Sequence, residues 1–435
     1  MDAKIAAVAR LGEAKISSPI HSRDADPQHP SVFIRESEYV PLHITVDVDR
    51  ERPGNMLFEK AGPREKLFFN PAQTRAAVVT CGGLCPGLNN VIRSLVQSLH
   101  YAYGIQGVLG IRYGYHGMNP AHMLPPVELD PEMVSDIHEI GGTILGTSRG
   151  PEDPKVMLGF LKAHRVGILF PVGGDGTQRA ALAIHEEAQR QGYPLAVVGV
   201  PKTIDNDIQY VARTFGYTTS VDSARGVIDV AHTEARAVIN GVGLVKLMGR
   251  DSGFIAAGAT LASGEVNYCL IPEQDFELDG SRGLLAVLQR RLERKQHAVI
   301  VVAEGAGQHL MPKDNSDIDA SGNVRKADIG IFLKECIGAH FKQAGLPVNV
   351  RYIDPSYAIR GLPANTEDAV LCDMLARNAA HAGMAGCTGL IIGLLHNRMI
   401  HVPITMATDG RKKVELSGVL WKAVLAGTGQ PAVWK

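Results

Sequence analysis

The sequence predicts an α/β fold with mainly parallel sheets, and three observations point there. Short runs rich in Val, Ile and Leu recur along the chain, as expected of strands buried on both faces. Segments with helical spacing separate them, so strands and helices alternate. Glycine-rich turns follow several of the runs, giving the layout strand, turn, helix.

Taken in order, residues 1–72 are mixed: a short helix-like start, then a segment rich in proline and charge at residues 22–30. They carry no chemical motif and read as an extension lying on the main body or contributing to subunit packing. Residues 75–80 (RAAVVT) open the core as a strand, followed by the turn CGGLCPGLN and a helix through 90–96. Residues 108–112 form a second strand, and residues 141–150 (GGTILGTSRG) a further glycine loop ending at Arg149 and Gly150. A helix at 158–164 leads to a strand at 166–170, the loop GGDGT, a helix over 180–191, a strand at 195–200 and the run PKTIDND. After a bridge at 209–217, a helix at 218–239 precedes the strand 242–248, the turn GRDSG and a helix at 254–263. Strands at 267–271, 297–303, 347–353 and 389–395 alternate with helices at 281–295, 328–343 and 366–383.

The stretch from Pro171 to Asp207 concentrates the chemistry. Loops that follow consecutive strands of an open parallel sheet emerge at its carboxyl edge, where ligands bind. Glycine lets the backbone approach a phosphoryl group closely and donate N–H groups to its oxygens. In GGDGT, Asp175 is a candidate ligand for Mg2+, a cation that prefers oxygen donors and keeps several waters. In PKTIDND, Asp205 is a candidate base for an attacking hydroxyl, and Lys202 and Thr203 can meet phosphoryl oxygens. Alone, GGDG is also a common strand-to-helix turn, and TIDND also reads as an Asp-rich surface turn. Together, each after its own apolar strand, they point to a phosphate-and-magnesium loop facing a carboxylate loop. Arg250, Glu304, Arg351 and Arg360 recur after or within later strands and suit a second, anionic pocket: guanidinium forks fit a phosphate ester, and a carboxylate fits sugar hydroxyls.

The totals bound the remaining classes. A chain of 435 residues calls for two or more packed units. With charged residues at 20% and a formal net charge of −1, no basic excess points to nucleic acid. The six cysteines include no C-x-x-C pair, and the 16 histidines include no H-E-x-x-H, so a zinc hydrolase has no support. Cys81 and Cys85 read as small packing residues, since a metal site there would need two further ligands. With no apolar span near 20 residues and no secretory signal visible, the expectation is a cytoplasmic protein without membrane or nucleic-acid partners.

With these residues assembled, the chain resembles the 6-phosphofructokinase family over roughly residues 75 to 410. The resemblance rests on TCGGLCPGLN, GTSRG, GGDGT, PKTIDND, LMGRDSG, AEG and YAIRG in this order. It is similar to the long atypical ATP-dependent branch, which is related to pyrophosphate-dependent enzymes. The resemblance implies a phosphofructokinase-like fold: two Rossmann-like lobes, with the active site in the cleft between them. Its implied divisions are an extension at 1–72, a nucleotide lobe at 73–215 plus about 361–410, a sugar-phosphate lobe at 216–360, and a C-terminal segment at 411–435. It further implies transfer of the γ-phosphoryl of MgATP to the 1-hydroxyl of fructose 6-phosphate, giving fructose 1,6-bisphosphate and ADP, a step of glycolysis.

By the same resemblance Asp205 would be the base and Asp175 would hold magnesium. Gly82, Arg149, Gly150, Gly174, Asp175, Gly176 and Thr177 would form the ATP site. Thr203, Ile204, Asp205, Met248, Gly249, Arg250, Glu304, Tyr357, Ala358, Ile359 and Arg360 would hold the sugar phosphate. Arg351 matches an arginine that the family borrows from a neighbouring subunit, which implies a homo-oligomer, a tetramer or a dimer. Gly176 bears on the donor: an aspartate, common there in pyrophosphate users, would crowd and repel an α-phosphate. Lys202 cuts the other way, since many pyrophosphate users bind the donor with it. Pyrophosphate as donor is therefore the alternative, and another GGDGT-type kinase, acting on a lipid or small molecule, the second. Leu84, Tyr357 and Gly241 depart from the short bacterial forms, and the short-form regulatory site is not carried over.

Overall fold

The computed structural model describes residues 4–20, 32–45, 55–312 and 326–434. The Pro- and charge-rich segment 22–30 lies outside the described residues. Contacts divide the chain into two units. The first comprises Met1–Thr203, Ile208–Gly216 and Leu362–Gly410; the second comprises Ile204–Asp207, Tyr217–Gly361 and Arg411–Lys435. The segment after Gly410 thus packs within the second unit.

The first unit is built on a seven-stranded sheet. Its order across the sheet is Arg398–Pro403, Leu390–Leu395, Ala196–Pro201, Val166–Gly173, Arg75–Thr80, Val108–Ile111, Val127–Leu129. The five inner strands are parallel and the two edge strands antiparallel. From Arg75–Thr80 the chain first adds a strand on one side, Val108–Ile111, and then builds outward on the other through Val166–Gly173. The sheet therefore reverses direction between Arg75–Thr80 and Val166–Gly173, and such a switch point opens a crevice at the carboxyl ends of the strands. All six residues of Ala196–Pro201 are buried, as a strand covered on both faces requires.

The extension belongs to this unit, and its start is not helical. Lys4–Ala6 pairs parallel with Met56–Glu59, and Ala9–Arg10 pairs antiparallel with Cys387–Thr388. Pairing partners distant in sequence override the weak helical spacing of the opening residues. Phe58 is fully buried in the first unit's core, a contribution of about 1.5–3 kcal/mol to docking the extension. Beside it, Glu59 accepts from Arg10 at 2.8 Å and from Arg64 at 2.7 Å, with His401 3.2 Å away. These charges hold the Glu59 carboxyl well below the usual range despite its burial.

The second unit holds a four-stranded parallel sheet in the order Tyr268–Leu270, His297–Ala303, Gly241–Leu247, Asn349–Ile353. Its core gathers Leu244, Ile300, Val302, Leu288 and Phe341, and Trp434 closes it from the C-terminal segment. Among the described residues no helix is long and apolar enough to cross a membrane, and the six cysteines form no disulfide.

Candidate active site

In the first unit the glycine-rich turns converge on the switch point. Cys81 N–H donates to the carbonyl of Val172 at 3.0 Å, so the chain leaving Arg75–Thr80 runs on beside its neighbour strand. Gly82 N–H donates to Ser148 at 3.1 Å, and Thr147 Oγ1 returns a bond to the Gly82 carbonyl at 2.6 Å. The turn before Arg149 is thereby fixed against the turn at Gly82. Arg149 and Gly150 are themselves exposed, with Gly150 in the left-handed region at φ 117°.

In GGDGT, Gly173 ends the strand, Gly174 caps and Asp175–Thr177 already open the helix, which corrects the expectation of a helix from residue 180. The helix runs Asp175–Arg190 with Gly174 as its N-cap. Gly173 is required by space, since a Cβ there would lie 2.2 Å from Thr177 Oγ1. Gly176 is exposed, and a Cβ there would meet nothing within 4 Å. Asp175, Gly176 and Thr177 thus form the first turn, whose N–H groups and dipole attract anions. Gln178, buried behind them, donates to the carbonyls of Gly173 at 3.1 Å and Pro171 at 3.3 Å. Tyr115 Oη donates to the Thr177 carbonyl at 2.9 Å.

Asp175 ion-pairs with Arg179 at 3.0 Å one turn along. Its carboxylate keeps 20% exposure, which leaves room for water beside a hard oxygen donor. A cation that takes one or two carboxylates and keeps its waters fits that donor, so Asp175 fits magnesium.

Lys202, at the end of the next strand, is buried; its Nζ donates to the Gly83 carbonyl at 2.6 Å. A Cβ at Gly82 would lie 3.4 Å from that Nζ. Thr214 Oγ1 donates to the Thr203 carbonyl at 2.7 Å. The first unit thus gathers Gly82, Gly174 through Thr177, Lys202 and Thr203 around the sheet's carboxyl edge, with Arg149 and Gly150 on the turn tied to Gly82.

The second unit holds Ile204 and Asp205 together with Met248, Gly249, Arg250, Glu304 and Arg360. The chain leaves Gly241–Leu247 through Gly249, at φ 132°, and the Glu304 N–H donates to the Leu247 carbonyl at 2.9 Å. Gly305 lies so close to Arg250 that a Cβ would sit 1.9 Å from its carbonyl oxygen. Ser252 Oγ donates to the Asp205 carbonyl at 3.0 Å. The turn at Asp205 contains Asn206 in the left-handed region at φ 55°, which asparagine tolerates better than most side chains.

Electrostatics single out Asp205. Burial pushes its carboxyl up to about 8, the nearby charges of Asp207 and Glu304 push the same way, and Arg411 and the Arg250 backbone pull it back. Glu304 is also raised by burial, and Lys246, Arg250 and Arg360 oppose the rise. Tyr357 is exposed, with the Arg360 guanidinium 4.7 Å from its ring centroid; Ile359 is buried, its carbonyl accepting from Ser220 at 3.1 Å. Arg351 stands apart on its strand, exposed, 4.0 Å from Glu234.

Sequence reading missed two supports. Arg411 pairs with Asp207 and lies 3.5 Å from Asp251, while Lys412 N–H donates to the Asp207 carbonyl at 2.9 Å. The basic run RKK after Gly410 was the available signal. Lys246 bridges Asp328 and Asp354 at 2.8 Å each; a lone lysine inside an apolar strand was the clue there.

The family model for phosphofructokinase matches residues 75–382. An ATP-dependent 6-phosphofructokinase of Borreliella burgdorferi is 44% identical over 98% of this chain and 96% of its own length. One from Amycolatopsis methanolica is 46% identical over 97% of this chain and 94% of its own length. One from Trypanosoma brucei brucei is 47% identical over 85% of this chain and 76% of its own. Among solved structures, a pyrophosphate-dependent phosphofructokinase from Marinobacter aquaeolei superposes with a TM-score of 0.67 at 19% identity, covering 83% of this chain and 92% of that one. At that identity the likeness speaks for the fold.

Proposed function

The chain belongs to the phosphofructokinase family, and from that premise we infer its reaction: transfer of the γ-phosphoryl of ATP to the 1-hydroxyl of fructose 6-phosphate. The observation that carries the chemistry is the environment of Asp205. A carboxyl raised by burial and neighbouring carboxylates holds a proton far better than an exposed aspartate, as a general base working near neutral pH should. Asp205 takes the proton of the attacking hydroxyl. The oxygen forms its bond to the γ-phosphorus as the bond to the β-phosphate oxygen breaks, and ADP leaves with that electron pair.

The nucleotide phosphates lie against the first turn at Asp175–Thr177, with Gly82 and Gly174 giving the backbone clearance to approach and Arg149 adding charge. Asp175 would hold Mg2+, which when bound neutralises developing charge on the phosphates. Arg250 and Arg360 hold the sugar phosphate, and Glu304 accepts from sugar hydroxyls. The open space at Gly176 supports ATP as donor. Arg351, exposed on its strand, supports a homo-oligomer in which this arginine reaches a neighbouring copy. The set of six cysteines without a disulfide supports a reducing compartment, the cytoplasm.

The test offers purified protein MgATP with fructose 6-phosphate, NAD or diacylglycerol in separate reactions and identifies the products. Fructose 1,6-bisphosphate from the first alone is expected; phosphorylation of either other acceptor overturns the assignment.

A further inference from the structure

Beside the turn that carries Arg149 and Gly150, the first unit contains a second constellation suited to chemistry, made of residues not assigned above. His116 lies on the 3₁₀ turn Gly114–Met118, His122 ends the turn Pro120–His122, and Glu152 precedes the helix Pro154–Ala163. His122 Nε2 is 2.9 Å from Glu152 Oε1, and His116 Nε2 is 3.6 Å from the same oxygen. One ligand atom from each residue lies within 4.8 Å of the others. The imidazoles stack with centroids 4.7 Å apart, and both Nε2 atoms approach the same Glu152 oxygen.

Two donors bound at about 2.0–2.1 Å to a tetrahedral zinc ion stand roughly 3.3–3.4 Å apart. The two histidine–carboxylate distances bracket that separation. The Glu152 side chain is only 8% exposed, and Asn119 Nδ2 donates to its other oxygen, Oε2, at 2.8 Å. That bond turns Oε1 toward the histidines, as supporting hydrogen bonds orient ligating carboxylates. The histidine side chains keep 32% and 41% exposure, which leaves a path for an ion and a water as fourth ligand.

We propose that His116, His122 and Glu152 form a binding site for a divalent transition-metal ion, with Zn2+ the best match. Imidazole ligands favour zinc and its neighbours over magnesium, so this site is distinct from the magnesium assigned to Asp175. A bound ion cross-links the turns at 114–122 to the segment just beyond Gly150, whose Cβ position lies 3.5 Å from His116 Nε2. Any effect of the ion on nucleotide affinity rests on the functional reading above; binding itself does not. A second buried group, Glu59, Cys387 and His401, has comparable spacing, but two guanidinium groups already occupy its carboxylate.

The test uses the full chain, stripped with chelator and titrated with Co2+ as an optical probe, then with Zn2+ by calorimetry and Mg2+ as control. One Co2+ per chain with tetrahedral visible absorption, displaced by Zn2+ and not by Mg2+, is expected. Asn119→Ala should weaken binding by about 10–100-fold, and His122→Ala and Glu152→Gln should each weaken it at least as much while MgATP turnover in buffer free of transition metals persists. A folded, active wild type that binds no stoichiometric Co2+ overturns the proposal. So does binding that survives both ligand variants, or a sulfur-to-cobalt charge-transfer band, which would mark a cysteine site instead.

Discussion

Lys202 Nζ donates to the carbonyl of Gly83 over 2.6 Å, tying the end of one sheet strand to the turn after another. The contact braces the turn at Gly82 and Gly83, which the proposed function assigns to the nucleotide. Charged hydrogen bonds contribute about 1.5–3 kcal/mol. Lys202→Met should therefore raise the ATP KM on the order of tenfold and lower the melting temperature, with little change in the KM for fructose 6-phosphate. Steady-state kinetics and a thermal melt check this; unchanged values in both would remove the bracing role.

Gly176→Asp isolates the donor question from folding. The added Cβ meets nothing within 4 Å, and a carboxylate in the first turn of a helix favours the dipole. The variant should melt within about 2 °C of wild type yet lose at least about tenfold in kcat/KM for ATP, since like charge repels the phosphates. Undiminished ATP kinetics would contradict the steric and electrostatic argument.

Asp205→Asn should lower kcat by about 10²–10⁴-fold, the range of a lost general base, while fructose 6-phosphate still binds. It also makes a stability prediction. A carboxyl with its folded pKa raised to about 8 binds its proton more tightly in the native state than in the unfolded chain, where the reference is about 3.9. Its stabilising contribution is present at low pH and is lost as pH rises through that window. The melting temperature of Asp205→Asn should therefore gain on wild type between pH 5 and about pH 8. A constant difference across that range would place the raised carboxyl elsewhere.

Arg411 lowers the proton affinity of Asp205 by its charge. Arg411→Met should move the acid limb of the pH profile of kcat to higher pH, because the base then holds its proton more tightly. A profile displaced downward, or not at all, would show that Arg411 acts only by pairing with Asp207.

Most of the first unit was legible because its inner strands are continuous apolar runs and its turns carry glycine at positions that steric contact demands, as at Gly173. The beginning of the Asp175–Arg190 helix was missed because glycine and aspartate are poor interior helix residues. Here they occupy the first turn, where a cap and an anion site tolerate them. The strand character of Lys4–Ala6 was hidden because it depends on Met56–Glu59, about fifty residues away. Arg411 was missed for a related reason: its partner Asp207 is distant in sequence, and a short basic run by itself reads as a solvated surface.

The most direct test offers the purified protein fructose 6-phosphate and Mg2+ with either ATP or pyrophosphate, following fructose 1,6-bisphosphate in a coupled assay. The open space at Gly176 admits a nucleotide, and with the ATP-dependent relatives the account predicts faster turnover with ATP than with pyrophosphate. Equal or faster turnover with pyrophosphate would contradict it.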